Sequence, residues 1–345
     1  MRLWEELSGI IFKRIASQYL KTFREKSPEK ILRKSLGMLD PEVQVTLKEY
    51  VRKSLSPPGG FMDRGGKPDI YYTLFGYYLA ESLDLTDLFP SIRSFTENEI
   101  SRNDLKGVPL HCAAILFSKL CNDKAVEKRL RGLIRVHLKR KDDKQPAYRA
   151  FISLLSCYYL NDFRSLYLIK KQLEKLNSSN QLPSPVVAAL LVLQHSFGRN
   201  VEELKQILLS FFSNPMGGAT FSQATTDPQG GAQETLQPEN PGSFARVTPN
   251  PQGGAHQVPP GGFRGEQSGG FKAVKAAPVP DLLSTAVSLY ALRFAGHDLR
   301  MIKPACLAFI DLLYNDGGFS ANVVDPDPDI EYTFYGFLAL GSLAD

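Results

Sequence analysis

The chain has 345 residues, 43% hydrophobic and 22% charged, a balance that supports a sizeable core and excludes a wholly disordered or fibrous protein. Its formal charge of +5 is too dilute over this length to indicate a nucleic-acid partner. No apolar run reaches the roughly 18 residues that cross a bilayer, and the N-terminus has acidic residues ahead of a short apolar patch and lacks a small-residue cleavage site. The chain is therefore read as cytoplasmic.

Residues 1–35 are expected to form an N-terminal helical extension. Leu3, Trp4, Leu7, Ile11, Ile15 and Tyr19 fall in helical register, flanked by Lys13, Arg14, Lys21 and Arg24. Such a helix either packs across its own domain, the arrangement expected here, or makes peripheral contact with a membrane. Two kinds of helix then take turns. One is apolar nearly all round, as in IYYTLFGYYLA (Ile70 to Ala80), AFISLLSCYYL (Ala150 to Leu160), VVAALLVL (Val186 to Leu193) and TFYGFLAL (Thr333 to Leu340). A helix apolar on every face must be buried on every face. The other is amphipathic. Val126, Leu130, Leu133, Ile134, His137 and Leu138 mark one face of a helix that carries Lys128, Arg129, Arg131 and Arg135 opposite. Leu166, Ile169, Leu173 and Leu176, then Leu204, Ile207, Leu208 and Phe211, repeat the pattern.

Six buried helices are expected, starting near Asp69, Pro109, Pro146, Pro185, Asp281 and Asp329. Except across the insert and in the final unit, which has a longer loop, the starts are about 40 residues apart, a spacing that indicates stacked helical hairpins. With wet helices outside and dry helices inside, a closed double ring fits better than an open solenoid, whose inner row lines an exposed groove. Residues 214–268 interrupt the pattern. Rich in Gly and Pro and poor in branched apolar residues, they cannot offset their ordering entropy and are expected to form a mobile insert in a single domain spanning 1–345. Cys112, Cys121, Cys157 and Cys306 lie in apolar helical text without CxxC spacing and read as buried free thiols.

Three segments share a signature: GGFMDRGGKPDIYYT (Gly59 to Thr73), GGFKAVKAAPVPDLLST (Gly269 to Thr285) and GGFSANVVDPDPDIEYT (Gly317 to Thr333). Gly-Gly permits a tight turn, the Phe tucks between helices, and Asp69, Asp281 and Asp329 cap the helices that follow. This pattern resembles the repeat of the protein prenyltransferase β subunits and the squalene and terpene cyclases. The resemblance implies an all-α fold, an (α/α)6 toroid of six helical hairpins, with a central funnel that binds an isoprenoid.

The chemistry of that family is not matched. Where its zinc-binding His would stand, this chain has Tyr72, Ser284 and Tyr332, and no D-G-C motif occurs. His111 and Cys112 are adjacent and diverge by about 100° on a helix. Asp325, Asp327 and Asp329 alternate with prolines as an extended loop rather than a packed acid cluster. The Gly265-Glu266-Gln267 segment lacks the Cys that a thioester requires. No metal, cofactor or catalytic residue is assigned. Tyr71, Tyr72, Phe75 and Tyr78 on the first buried helix and Tyr332 and Tyr335 on the last are the expected substrate-binding residues, because aromatic faces suit a prenyl chain or carbocation. Arg149 joins them because it resembles the family's inner-helix arginine, and its guanidinium would hold a diphosphate or carboxylate. The resulting expectation is an isoprenoid-binding or isoprenoid-transforming protein. The alternative is a non-catalytic scaffold on the same toroid, binding a protein through the insert or the basic stretch Lys124 to Lys144.

Overall fold

A computed structural model describes residues 21, 23–139, 146–173, 182–213 and 269–344. The expected helix over Leu3 to Tyr19, the insert 214–268 and the basic residues Arg140 to Lys144 lie outside the described residues. Among the described residues the fold is all-α apart from four strands of two residues each.

Six of the described helices are apolar nearly all round: α3 (Ile70–Ser82), α5 (Gly107–Leu120), α7 (Pro146–Tyr159), α9 (Ser184–Ser196), α11 (Leu282–Phe294) and α13 (Ile330–Leu343). Each packs on the next in that order, and α13 returns to α3, so the contacts run in a closed cycle. Between them come α2 (Pro41–Lys53), α4 (Phe89–Ser101), α6 (Lys124–Leu138), α8 (Phe163–Leu173), α10 (Glu202–Leu209) and α12 (Lys303–Asp311). These alternate helices carry their charge on the outside, as in α6, where Leu130, Ile134 and Leu138 are buried and Lys124, Lys128 and Arg129 are exposed. Of the four cysteines, Cys112, Cys157 and Cys306 are buried thiols and Cys121 is half-buried.

The shared signature builds the entry to α3, α11 and α13. The carboxylates of Asp69, Asp281 and Asp329 each accept backbone amides of the first turn, at 2.7 Å from Tyr71, Ser284 and Tyr332 respectively. Thr73, Thr285 and Thr333 then donate to the carbonyls of those aspartates and accept from the amides of Phe61, Phe271 and Phe319. The Phe rings lie under the helices. At Gly76 and Gly336 a Cβ would stand 2.3 and 2.5 Å from the rings of Phe61 and Phe319, so no larger residue fits without displacement.

In the last unit β3 (Tyr314–Asn315) and β4 (Gly318–Phe319) pair antiparallel around Asp316-Gly317, both at positive φ, which is the backbone of a tight primed turn. In the preceding unit β1 (Phe212–Ser213) and β2 (Gly270–Phe271) pair in the same register. The Gly/Pro-rich stretch is thus spliced into the tip of a hairpin that the last unit closes with two residues.

The N-terminal helix α1 (Pro28–Leu36) packs on α13 and α3. Its approach to α13 is so close that a Cβ at Gly341 would stand 2.1 Å from the carbonyl oxygen of Ile31. The segment before it crosses the C-terminal ends of the buried helices. Phe23, fully buried, meets Tyr158 of α7 and Phe294 of α11 at ring-centroid distances of 4.6 and 5.9 Å. Lys26 donates to the last carbonyls of α11, those of Arg293 and Phe294, and accepts at its own carbonyl from Tyr290. Among the described residues no helix is long and apolar enough to cross a membrane.

Candidate functional site

Contacts with residues 23–29 mark one face on three of the buried helices, here called the inward face. Tyr78 on α3, Tyr158 on α7 and Tyr290 on α11 border this segment. Counting back by seven and by three residues along the same face gives Tyr71 and Phe75 on α3, Phe151 and Leu155 on α7, and Leu283 and Val287 on α11. On α13 the matching positions, two and six after the capping aspartate, are Glu331 and Tyr335. On these largely buried helices Phe151 and Leu155 of α7, with Tyr158 and Tyr159, and Leu283 and Val287 of α11 remain partly exposed. Near residues 23–29 this face is largely buried, at Tyr78 and Tyr290, and toward the N-terminal ends of the helices it gains partial exposure, at Phe151, Leu155, Leu283 and Val287; the first is the closed end and the second the open end.

At the closed end Glu29 accepts from Lys119 at 3.1 Å and from Tyr159 at 2.7 Å. Lys119 also pairs with Glu81 at 3.5 Å. Burial opposes ionisation of Glu29, but Lys119 and Tyr159 outweigh it and hold the carboxyl below its ordinary pKa. Burial raises the Tyr78 phenol well above its ordinary value, with Glu29 adding to the effect.

The open end is formed where the first and last units meet. Arg64, in the loop between Gly-Gly-Phe and Pro-Asp of the first unit, reaches the last unit, placing Nε 2.6 Å from Asp329 and Nη1 2.5 Å from Asp325. Its guanidinium also lies 5.2 Å from the centre of the Tyr332 ring. Asp329 thus both caps α13 and closes the cycle. The Tyr71 hydroxyl donates to Glu331 at 2.5 Å. Glu331 is only 9% exposed, and its pKa is raised to about 7. Desolvation is the main cause and neighbouring Asp329 adds to it, while Tyr71, Arg64 and Tyr72 pull the other way. A carboxyl raised in this way beside Tyr71, Tyr72 and Tyr332 is suited to general acid–base chemistry or to hydrogen bonding with a neutral group.

Of the expected residues, the structure brings together Tyr71, Tyr72, Phe75, Tyr78, Tyr332 and Tyr335. Phe75 touches Tyr71, Phe334 and Tyr335 at centroid distances of 4.7, 4.9 and 5.5 Å, and Tyr332 lies 6.4 Å from Tyr335. Arg149 stands apart. It is buried at the start of α7, roughly 150° around the helix from the stripe of Phe151 and Leu155, where it occupies the position that Asp69 holds in the first unit. Glu331, Arg64 and Glu29 escaped the reading of the sequence. The one signal for Glu331 was its position two residues after a capping aspartate, where the other two motif units have Tyr71 and Leu283.

A second buried polar cluster lies between α5, α6 and α7. His111 contacts Ser156 Oγ through Nδ1 and His137 Nδ1 through Nε2, both at 2.8 Å. Burial, and secondarily His137, lowers the His111 pKa to about 3, so this imidazole is neutral and serves packing between helices. Among the described residues no three His, Cys, Asp or Glu side chains converge on a metal position. Compared with protein-family models, curated proteins and solved structures, the chain matches none.

Proposed function

We propose that the closed cycle of six buried helices is an (α/α)6 toroid, and that its inward face is a blind cup that binds an apolar, isoprenoid-like chain. The observation carrying this reading is the partial exposure of Phe151, Leu155, Leu283 and Val287 at matching positions of two largely buried helices. Apolar side chains held open toward an interior gain about 25 cal/mol for each Å² that a ligand covers. The floor is residues 23–29 and the rim is Tyr71, Tyr72, Glu331 and Tyr332. The likeness of the three Gly-Gly-Phe and Pro-Asp segments to the prenyltransferase and cyclase repeat supports an isoprenoid in particular. A chemical step at this site would use Glu331 as its proton donor or acceptor. The protein is placed in the cytoplasm, with at most peripheral contact with a membrane. Native mass spectrometry of detergent-free protein tests the reading: a co-purifying apolar mass that disappears in Val287→Trp supports it, and a chain that neither carries nor takes up such a molecule refutes it.

A scaffold function has one observation in its favour. On α6, Leu133 and Val136 are exposed beside Gly132, where an added Cβ would meet open space. Farther around the helix Lys124, Lys128, Arg131 and Arg135, with Glu127, line a cleft of about 310 Å³, where Arg131 pairs with Glu127 and Arg135 with Asp162. That face suits an acidic helix of a protein partner. A partner whose binding survives Val287→Trp but is lost in Gly132→Leu would establish this second role.

A further inference from the structure

We propose that a groove where the first and last units meet docks an amphipathic helix of a partner protein, one with an apolar stripe flanked by Lys or Arg. This surface is separate from the cup and stands without it. The β3–β4 turn rests on α2: a Cβ at Gly317 would be 3.0 Å from the Thr46 carbonyl oxygen, and one at Gly318 would be 2.8 Å from the Tyr50 ring. Nearer the start of α2 the two units leave a cavity of about 110 Å³ between them. Leu39 and Val43 of the first unit and Ile310 and Tyr314 of the last line it, together with Phe337 and Leu340 of α13, which are buried. That is close to the ~150 Å³ apolar cavity that takes up a benzene ring, so one leucine or aromatic side chain can anchor there.

Three carboxylates border the same groove, Asp40 and Glu42 on the side of the first unit and Asp311 on the side of the last, and no Lys or Arg lines it. Among the described residues none of these three side chains takes part in a hydrogen bond or an ion pair. Asp40 is the clearest case. It stands at the N-cap of α2, yet its carboxylate accepts no first-turn amide, whereas those of Asp69, Asp123, Asp281 and Asp329 do. Acids on both walls call for cations on both sides of an apolar anchor. A single small amine meets one wall only, but a helix carries cations along both edges of its apolar stripe, as the e and g positions of a coiled coil do. The chain as a whole has a formal charge of +5, so generic attraction would favour an acidic peptide, and preference for a basic one reports the groove itself.

The test is fluorescence anisotropy of the full chain with labelled amphipathic peptides of about 15 residues. Two of them share a leucine stripe and differ in its flanking residues, lysine in one and glutamate in the other. The lysine peptide is expected to bind about tenfold more tightly or better. Equal or tighter binding of the glutamate peptide overturns the proposal, as does a full chain that binds neither. A third peptide keeps the lysines and replaces leucine by alanine; it is expected to lose binding, and affinity equal to that of its parent overturns the groove as the seat. In the protein, Asp40→Asn combined with Glu42→Gln should weaken the lysine peptide by about fivefold. Val43→Trp, which fills the groove, should abolish its binding, with Leu39→Trp as the second variant should the first fail to fold. Binding unchanged in a folded Trp variant places the peptide elsewhere and overturns the proposal.

Discussion

Where the buried helices end, Phe23, Lys26 and Glu29 reach across from the N-terminal segment and are held by burial; where those helices begin, Arg64, Asp329 and Glu331 are held by helix caps and half-exposed ion pairs. Both ends join parts of the chain that are far apart in sequence, yet they do so with different physics. The C-terminal end buries an aromatic ring completely and pairs Lys119 with Glu29 and Glu81 at about one-fifth exposure. The N-terminal end keeps Arg64 at 41% side-chain exposure, where solvent screens its pairs. Stability is therefore concentrated at one end and titratable chemistry at the other.

The largest expected effect is at the dry end. Phe23→Ala removes a fully buried ring and should cost about 3–5 kcal/mol in chemical denaturation. Lys119→Ala leaves two carboxylates facing each other without their cation and should cost roughly 2–3 kcal/mol, less than a fully buried broken pair. At the wet end Tyr71→Phe should cost about 1–2 kcal/mol and push the Glu331 pKa further up, since the lost hydroxyl favours the ionised form. Carboxyl titration followed by infrared spectroscopy reads that shift directly. Because folding raises the Glu331 pKa from its ordinary 4.5 to about 7, the folded state holds a proton that the unfolded state releases. The contribution of this group to stability is present below pH 4.5 and is lost as pH rises through 7. Glu331→Gln should flatten the stability profile across that window, and an unchanged slope would assign it to other groups. Smallest is Arg64→Ala, expected at no more than about 1 kcal/mol. A loss as large as that of Phe23→Ala would erase the contrast between the two ends.

Sequence reading is strongest where a structural cause is local. The six buried helices announce themselves by composition, and the three capping aspartates by Pro-Asp ahead of an apolar run, because a cap acts within one turn. The observed starts at Ile70, Gly107, Pro146, Ser184, Leu282 and Ile330 follow from that information. Arg64 is a different case. It reads as an ordinary loop cation, since its partners lie 261 and 265 residues away. Glu331 looks like a routine acid in a first helical turn until the closing of the cycle puts Tyr71 against it. Phe23 and Glu29 sit in a segment whose helical register is visible but whose destination is not. Arg149 shows the reverse: its apolar surroundings are legible, but the direction of its side chain depends on the register of α7 relative to its neighbours.

The paired strands β1 and β2 have a practical consequence. Closing a loop of several dozen residues instead of two costs about 0.6 kcal/mol for each doubling, roughly 3 kcal/mol in all. That cost is met by contacts outside the turn, among them the fully buried Phe271 and its 5.4 Å approach to Phe212. A hairpin that does not depend on its own turn tolerates a cut. A reporter domain inserted between Ser213 and Gly269 is therefore expected to leave β1 and β2 paired in register.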